Sequence, residues 1–153
     1  MRLWRLVKTK YASTAFDGEG ARLHGARWTS PGTRVAYASS NSALAVLEVL
    51  VHMTAAGGIL PGYSLVTATL PDDLVEDMPA ADLPVDWNSS PVPPAVQVIG
   101  DAWIRSGRSL ALRVPSAVVS GSYNILINPE HSDFAQLVVE SSVAFALDPR
   151  LLR

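Results

Sequence analysis

The sequence contains no cysteine. Disulfide frameworks, thiolate zinc sites and cysteine nucleophiles are therefore excluded. Histidine is also scarce, and the three histidines, His24, His52 and His131, have no metal-ligand spacing with one another. We therefore expect no metal site.

A surplus of positive charge is missing as well. The chain has 12 basic and 14 acidic residues, a formal net charge of −2, whereas a free-standing nucleic-acid binder usually carries a basic surplus or patch. No apolar run approaches the roughly 20 residues that span a bilayer. The N-terminus, MRLWRLVKTKY, lacks the continuous apolar core of a signal peptide. These features predict a cytoplasmic protein with no membrane contact and no DNA as its main direct ligand.

Apolar residues are plentiful, at 48% of 153 residues, which predicts a single domain over 1–153 with a sizeable core. Alternation and turn signals predict strands, and one apolar helix is expected after the N-cap candidates of 39–42, ending at Gly57-Gly58. Because strands and helices do not alternate regularly, an α+β fold is favoured over a doubly wound sheet. The predicted strands are 1–7, 34–38, 63–70, 110–114, 123–127, 135–139 and 144–147, with a second helix over 95–106, a loop over 9–25 and an irregular proline-rich segment over 78–94.

Glu48 is anomalous because it lies within the apolar helix. On a helical projection it falls beside Leu44, Leu47 and Val51, so no polar face accounts for it. A charged group is seldom buried unless it is paired or has a task. Glu48 either points to solvent or pairs with a structural arginine, or it is a carboxylate held in a cleft. The residues alone leave these readings open.

Two arginines stand in unusual surroundings. Arg5 lies between Leu3 and Val7 on one side of the first predicted strand, so its head either reaches water at an edge or binds an anion in a cleft. Arg27 follows Gly25 in a flexible turn, where a ligand can approach the backbone closely. A planar, bidentate guanidinium suits phosphate. No Walker or GxGxxG pattern accompanies these arginines, so the phosphate prediction from residues alone is weak.

Taken in order, these residues resemble the RES domain family, which is named after an arginine, a glutamate and a serine. The resemblance covers nearly the whole chain. Gly-Ala-Arg-Trp-Thr departs from the family's Gly-Gly-Arg-Trp-Asn but keeps the arginine. The matching features are Trp4-Arg5-Leu6, Gly25-Ala26-Arg27-Trp28, Val35-Ala36-Tyr37-Ala38-Ser39, the stretch 43–50 around Glu48, Val114-Pro115-Ser116 and Asn124-Ile-Leu-Ile-Asn128-Pro129-x-His131.

The resemblance implies a fold like that of the ADP-ribosyltransferases, with a split, mixed β core around an NAD pocket and a few helices. It implies a toxin of a type II toxin–antitoxin pair that acts on NAD⁺ as substrate, with no metal. Such toxins either destroy NAD⁺, by hydrolysis or phosphorolysis at the nicotinamide–ribose bond, or transfer ADP-ribose to a protein. The implied catalytic residues are Glu48, Arg27 and Tyr37, and the implied NAD-binding residues are Arg5, Arg27, Tyr37 and Ser116.

The residue types suit these roles. Loss of nicotinamide leaves a positively charged, oxocarbenium-like ribose, which Glu48 would stabilise. Arg27 and Arg5 would hold the pyrophosphate, and Tyr37 would stack on the nicotinamide or ribose. Ser116 would hydrogen-bond the ribose or help to place Glu48.

The resemblance also implies a partner, an Xre-like helix-turn-helix antitoxin that blocks the cleft and is the only route to DNA. A homodimer is left open. The main alternative function is mono-ADP-ribosylation of a specific protein. Two further alternatives are an inactive binding module or co-repressor that has kept the fold, and a domain in which the arginines and Glu48 merely form buried ion pairs.

Overall fold

The computed structural model describes residues 1–53 and 62–152. Its strands are β1 Arg2–Lys8, β2 Ala36–Ser39, β3 Tyr63–Thr69, β4 Val75–Asp77, β5 Ala111–Pro115, β6 Tyr123–Ile127 and β7 Val138–Phe145. Its α-helices are α1 Glu19–His24, α2 Ser42–Leu50 and α3 Pro94–Ser106, and short 3-10 helices cover Thr9–Thr14, Asp72–Leu74, Ala80–Asp82, Phe134–Gln136 and Pro149–Leu152.

The strands form one mixed sheet in the order β4-β5-β6-β2-β1-β3-β7. Strands β4 and β5 run parallel, and the other neighbours pair antiparallel. Strands β1 and β3 share seven registered pairs, but in the described residues β1 meets β2 at the single pair Trp4↔Ser39. The sheet is therefore split between β1 and β2.

Side chains alternate across the sheet, which gives each face its own core. Ile125 and Ile127 pack into one cluster with Phe16, and Leu126 between them packs on the other face with Trp103 of α3. Leu6 of β1 packs against Ala45 and Val46 of α2. This period of two is the pattern expected of strands buried on both faces.

The structure differs from the predicted elements at three places. The predicted loop 9–25 contains a 3-10 helix and α1, whose six residues are too few for a periodic pattern. The last two predicted strands form one strand, β7. The sequence pattern divides it because polar residues interrupt the apolar ones, at a sheet edge where every residue of the strand but Phe145 is exposed. Strand β4 has three residues and was not predicted. The predicted helix stop at Gly57-Gly58 lies outside the described residues.

The described segments, 1–53 and 62–152, contain no helix that is both long enough and apolar enough to cross a bilayer. Helix α3, with 13 residues, is the longest of their helices, well short of the roughly 20 that a span requires.

Candidate active site

A cavity of about 780 Å³ opens where β1 and β2 separate. Four of the five predicted site residues line it: Arg5, Arg27, Tyr37 and Glu48. The fifth, Ser116, is buried and is not part of the cavity lining, but its hydroxyl donates a hydrogen bond to Glu48. The fold thus brings all five side chains to one place from five separate parts of the chain.

Glu48 reaches the cavity from the last turn of α2. The Asn41 side chain caps this helix by accepting a hydrogen bond from Leu44 N at 2.8 Å. The carboxylate oxygen Oε1 of Glu48 accepts two hydrogen bonds, from Ser116 Oγ at 2.7 Å and Asn124 Nδ2 at 2.5 Å. Within residues 1–53 and 62–152 Glu48 forms no salt bridge. The expected alternative of a structural Arg–Glu pair is therefore not what holds Glu48.

Ser116 is fixed by its own backbone turn. Its hydroxyl oxygen accepts hydrogen bonds from Val118 N at 3.1 Å and Val119 N at 3.0 Å. Since a serine hydroxyl has one proton and donates it here to Glu48, no donor remains for a ligand. Of the two roles expected for Ser116, this geometry matches the placing of Glu48.

The guanidinium of Arg5, on β1, reaches β2 across the split between the two strands. Its NH1 donates to the carbonyl oxygen of Tyr37 on β2, and its Nε is buried with no hydrogen-bond partner among the described residues. Burial lowers the pKa of Arg5 to about 10, against the opposing effect of Asp17 and Tyr37. Arg5 therefore stays charged at neutral pH while holding an unused donor.

Arg27 is anchored to the proline-rich segment. Its NH1 donates to the carbonyl oxygens of Trp87 at 2.9 Å and Ser89 at 3.1 Å. Trp28 stacks on Trp87 with ring centroids 5.9 Å apart, and Asn88 of the same segment lines the cavity. The proline-rich segment predicted over 78–94 thus forms one wall of the cavity.

Tyr37 joins β2 to the Arg27 loop through its hydroxyl. The phenol oxygen accepts a hydrogen bond from Trp28 N at 3.2 Å and lies 3.4 Å from Thr29 Oγ1. Burial raises the pKa of Tyr37 to about 12, outweighing the hydrogen bonds that lower it. The hydroxyl therefore keeps its proton at neutral pH.

Replacing Tyr37 by phenylalanine is expected to loosen the Arg27 loop. The Trp28 N–H loses its acceptor, and an unsatisfied buried donor costs about 1–3 kcal/mol. We expect a lower free energy of unfolding in chemical denaturation. We also expect weaker ligand binding, because Arg27 lies in the same loop, next to Trp28. Tyr11→Phe, at a side chain 52% exposed, is the matched control. Equal stabilities for the two variants would contradict the assignment.

Helix α3 supports the Arg27 loop through residues that the sequence did not single out. Gln97 Nε2 donates to Ala26 O at 2.9 Å, and Asp101 Oδ1 accepts from Ser30 N at 3.0 Å. Gly100 lies between them on the same helix face, against the Trp28 carbonyl. The available signal was a glycine inside a helical pattern, which often has a packing reason.

A second cavity of about 670 Å³ adjoins the first. The two share Arg5, Leu6, Glu48, Val49 and His52 in their linings. The site is therefore a two-part cleft with Arg5 and Glu48 at the junction. The described ranges contain no group of three or more His, Asp or Glu side chains placed to hold a metal ion.

A mixed sheet that splits around a cleft, with few helices, gives the chain an α+β fold, as expected. Residues 2–148 match the RES domain, and the chain belongs to the RES domain family. A protein called Toxin Res from Photorhabdus laumondii is 36% identical over 155 residues, covering 100% of this chain and 98% of the relative. Another Toxin Res, from Yersinia enterocolitica, is 35% identical and covers 99% of both chains.

A further relative is the Prs ADP-ribosylating toxin of Sphingobium sp., 34% identical over 98% of this chain and 96% of the relative. Among solved structures, the M. tuberculosis MbcT–MbcA toxin–antitoxin complex contains a similar chain. It superposes with a TM-score of 0.78 at 24% identity, over 99% of this chain and 86% of the other. The family and the fold class predicted from sequence are thereby confirmed.

Proposed function

We propose that this chain is a cytoplasmic toxin that degrades NAD⁺ by breaking the nicotinamide–ribose bond. The observation that carries the proposal is the state of Glu48 in the cleft. One carboxylate oxygen is held by Ser116 and Asn124, and the described residues leave the other without a hydrogen bond. Such a carboxylate is pre-oriented and available to a positive charge, which is what cleavage of this bond generates.

Glu48 would act on the ribose of the nicotinamide half. As the bond between C1′ and nicotinamide breaks, its electron pair leaves with the neutral nicotinamide and positive charge develops on the ribose. A carboxylate beside that carbon stabilises the charge and accepts a ribose hydroxyl. Water then forms the new bond to C1′ to give ADP-ribose and a proton, or phosphate forms it to give ADP-ribose phosphorylated at the same carbon.

Arg5 and Arg27 would bind the pyrophosphate. Both line the first cavity, and neither forms a salt bridge within the described residues. A phosphate oxygen would accept a charge-assisted hydrogen bond from the guanidinium of Arg5 where this side chain lines the cavity. Because Arg5 also lines the second cavity, a pyrophosphate at the junction would leave one cavity for each half of the dinucleotide. The Tyr37 ring would restrict the nicotinamide half.

We further propose that an Xre-like helix-turn-helix antitoxin neutralises the toxin by covering this cleft. The structural relative was solved as a toxin–antitoxin complex, which supports an antitoxin as partner. With a net charge of −2, the toxin would reach DNA only through the basic domain of that partner.

A second candidate function is ADP-ribosylation of a protein. The name of the Sphingobium relative, an ADP-ribosylating toxin, favours it. The first chemical step is the same, and the two functions differ only in whether water, phosphate or a protein side chain forms the new bond to C1′.

Inducing this chain without its antitoxin is expected to lower cellular NAD⁺ within minutes and to arrest growth. The measurement is NAD⁺ in extracts, with Glu48→Ala as the inactive comparison and Glu130→Ala, an exposed glutamate, as the active one. Purified protein given NAD⁺ with and without phosphate then distinguishes the two products. Growth arrest at constant NAD⁺, with label from NAD⁺ appearing on one protein, would replace this proposal by ADP-ribosyl transfer.

A further inference from the structure

Asn124 is a polar side chain in the cleft to which no role has been assigned so far. It lies near the start of β6, in register with Ser39 of β2 and Val114 of β5, so the sheet fixes its backbone from both sides. Its side chain lines the cavity. Asn124 Nδ2 lies 2.5 Å from Glu48 Oε1, and Asn124 Oδ1 lies 2.8 Å from Ser39 Oγ.

The donor and acceptor in each of these two hydrogen bonds follow from the groups at the two ends, the Glu48 carboxylate and the Ser39 hydroxyl. An ionised carboxylate only accepts, so the Asn124 atom facing Glu48 must be the NH₂ nitrogen. The amide oxygen then faces Ser39, whose hydroxyl supplies the only proton between them. Ser39 is 4% exposed, so water does not compete freely for that proton. The two hydrogen bonds therefore run from Ser39 to Asn124 and from Asn124 to Glu48, and together they fix the Asn124 amide in one orientation.

Two donors on one oxygen constrain the carboxylate more than one does. Ser116, which follows the end of β5, and Asn124 of β6 both donate to Glu48 Oε1, so rotation about the last side-chain torsion would break both hydrogen bonds. Oε2 is left as the oxygen that a ligand can use. A charged acceptor makes such bonds stronger than neutral ones.

We propose that Asn124, oriented by Ser39, is a positioning residue that holds Glu48 with Oε2 directed to the substrate ribose. The inference rests on the proposed NAD⁺ cleavage. It gives Asn124 a role in the site beyond those of the arginine, glutamate and serine after which the family is named. Since positioning matters most in the transition state, its loss lowers kcat more than it raises KM.

The test compares Asn124→Ala, Asn124→Asp and Ser39→Ala in purified protein, with Gln136→Ala at an exposed amide as control. Asn124→Ala is expected to lower kcat roughly 10- to 100-fold, the equivalent of one hydrogen bond to a charged group, with KM changed less than about threefold. Ser39→Ala, which leaves the donor present but less well oriented, is expected to have a smaller effect in the same direction. Melting temperatures identify any variant that does not fold.

Asn124→Asp gives a readout that a merely structural residue would not. At acidic pH a protonated Asp side chain offers an O–H donor to Glu48 and restores the contact. As pH rises, both carboxylates ionise and repel each other, so activity relative to wild type falls. The other titratable groups lining the cavity, Arg5, Arg27, Tyr37 and His52, are the same in both proteins and cancel in the ratio. A ratio independent of pH, with a wild-type kcat for Asn124→Ala, overturns the inference while leaving NAD⁺ cleavage intact.

A second measurement does not depend on the substrate. The side-chain amide signal of Asn124 in ¹H–¹⁵N spectra, assigned by its loss in Asn124→Asp, is expected to shift in Glu48→Ala and to stay in place in Glu130→Ala. If wild-type protein leaves NAD⁺ intact, the proposed function fails, and this signal still decides the contact. An unchanged signal in Glu48→Ala overturns the inference.

Discussion

Replacing Glu48 by glutamine is expected to lower NAD⁺ turnover by about 10²–10³-fold, the usual loss when one group that stabilises transition-state charge is removed. Glutamine keeps the length and the carbonyl oxygen of glutamate, so its Oε1 can still accept the hydrogen bonds of Ser116 and Asn124. The substitution removes the charge and leaves the contacts. Activity should therefore fall while the melting temperature changes by no more than a few degrees.

The measurement is the rate of nicotinamide release by purified protein, alongside thermal unfolding. Glu130→Gln makes the same chemical change at an exposed site and is expected to keep wild-type activity. If Glu48→Gln kept its activity, positive charge on the ribose would not be what Glu48 stabilises. If it unfolded, the carboxylate would be required for folding and the experiment would move to Glu48→Asp.

The charged side chains proposed to act on the ligand are held by neutral groups. Arg5 donates to a backbone carbonyl, Arg27 to two more, and Glu48 accepts from a hydroxyl and an amide. The ion pairs in the described residues involve other side chains, as in Arg2–Glu140 and, at the edge of the second cavity, Arg34–Glu19. Neutral partners orient a charge without cancelling it, so the field of the cleft remains available to a ligand that carries both a pyrophosphate and a developing cation.

Glu48 could be singled out from sequence because a carboxylate without a polar helix face contradicts the pattern around it. Arg5 was marked in the same way, by its place between two apolar residues of one strand face. Both signals are local, and they need only the period of a helix or a strand. The family resemblance added Tyr37 and Ser116, for which local pattern offered only ordinary roles.

The hydrogen-bond partners of these residues could not be predicted from local sequence pattern, because they are distant in sequence. Ser116 and Asn124 lie 68 and 76 positions from Glu48, and the antiparallel pairing of β6 with β5 on one side and with β2 on the other brings them together. The anchoring of Arg27 on carbonyls 60 and 62 positions away has no side-chain signal at all, because any residue supplies a carbonyl. The sequence and the family resemblance therefore predicted which charges lie in the cleft and named Ser116 as a possible partner of Glu48, but they did not indicate Asn124 or the carbonyls that anchor Arg27.

Replacing Gly100 by alanine is expected to destabilise the protein by about 3 kcal/mol, the upper part of the usual range for overpacking. A Cβ built at Gly100 lies 1.7 Å from the carbonyl oxygen of Trp28 and 2.7 Å from its carbonyl carbon. Both are backbone atoms, so α3 or the Arg27 loop has to move. The melting temperature should fall by roughly 6–12 °C, and KM should rise because Arg27 adjoins Trp28.

The sign of this effect is itself the test, because the intrinsic preference of a helix points the other way. Alanine is favoured over glycine in a helix interior by about 1 kcal/mol, so without the close contact Gly100→Ala would be stabilising. Gly20→Ala in α1 provides that comparison, since a Cβ there meets nothing within 4 Å, and it is expected to be neutral or slightly stabilising. A stabilised Gly100→Ala would mean that α3 does not press on the Trp28 carbonyl, and that the Arg27 loop is held by its other contacts, such as those with Gln97, Asp101 and Trp87.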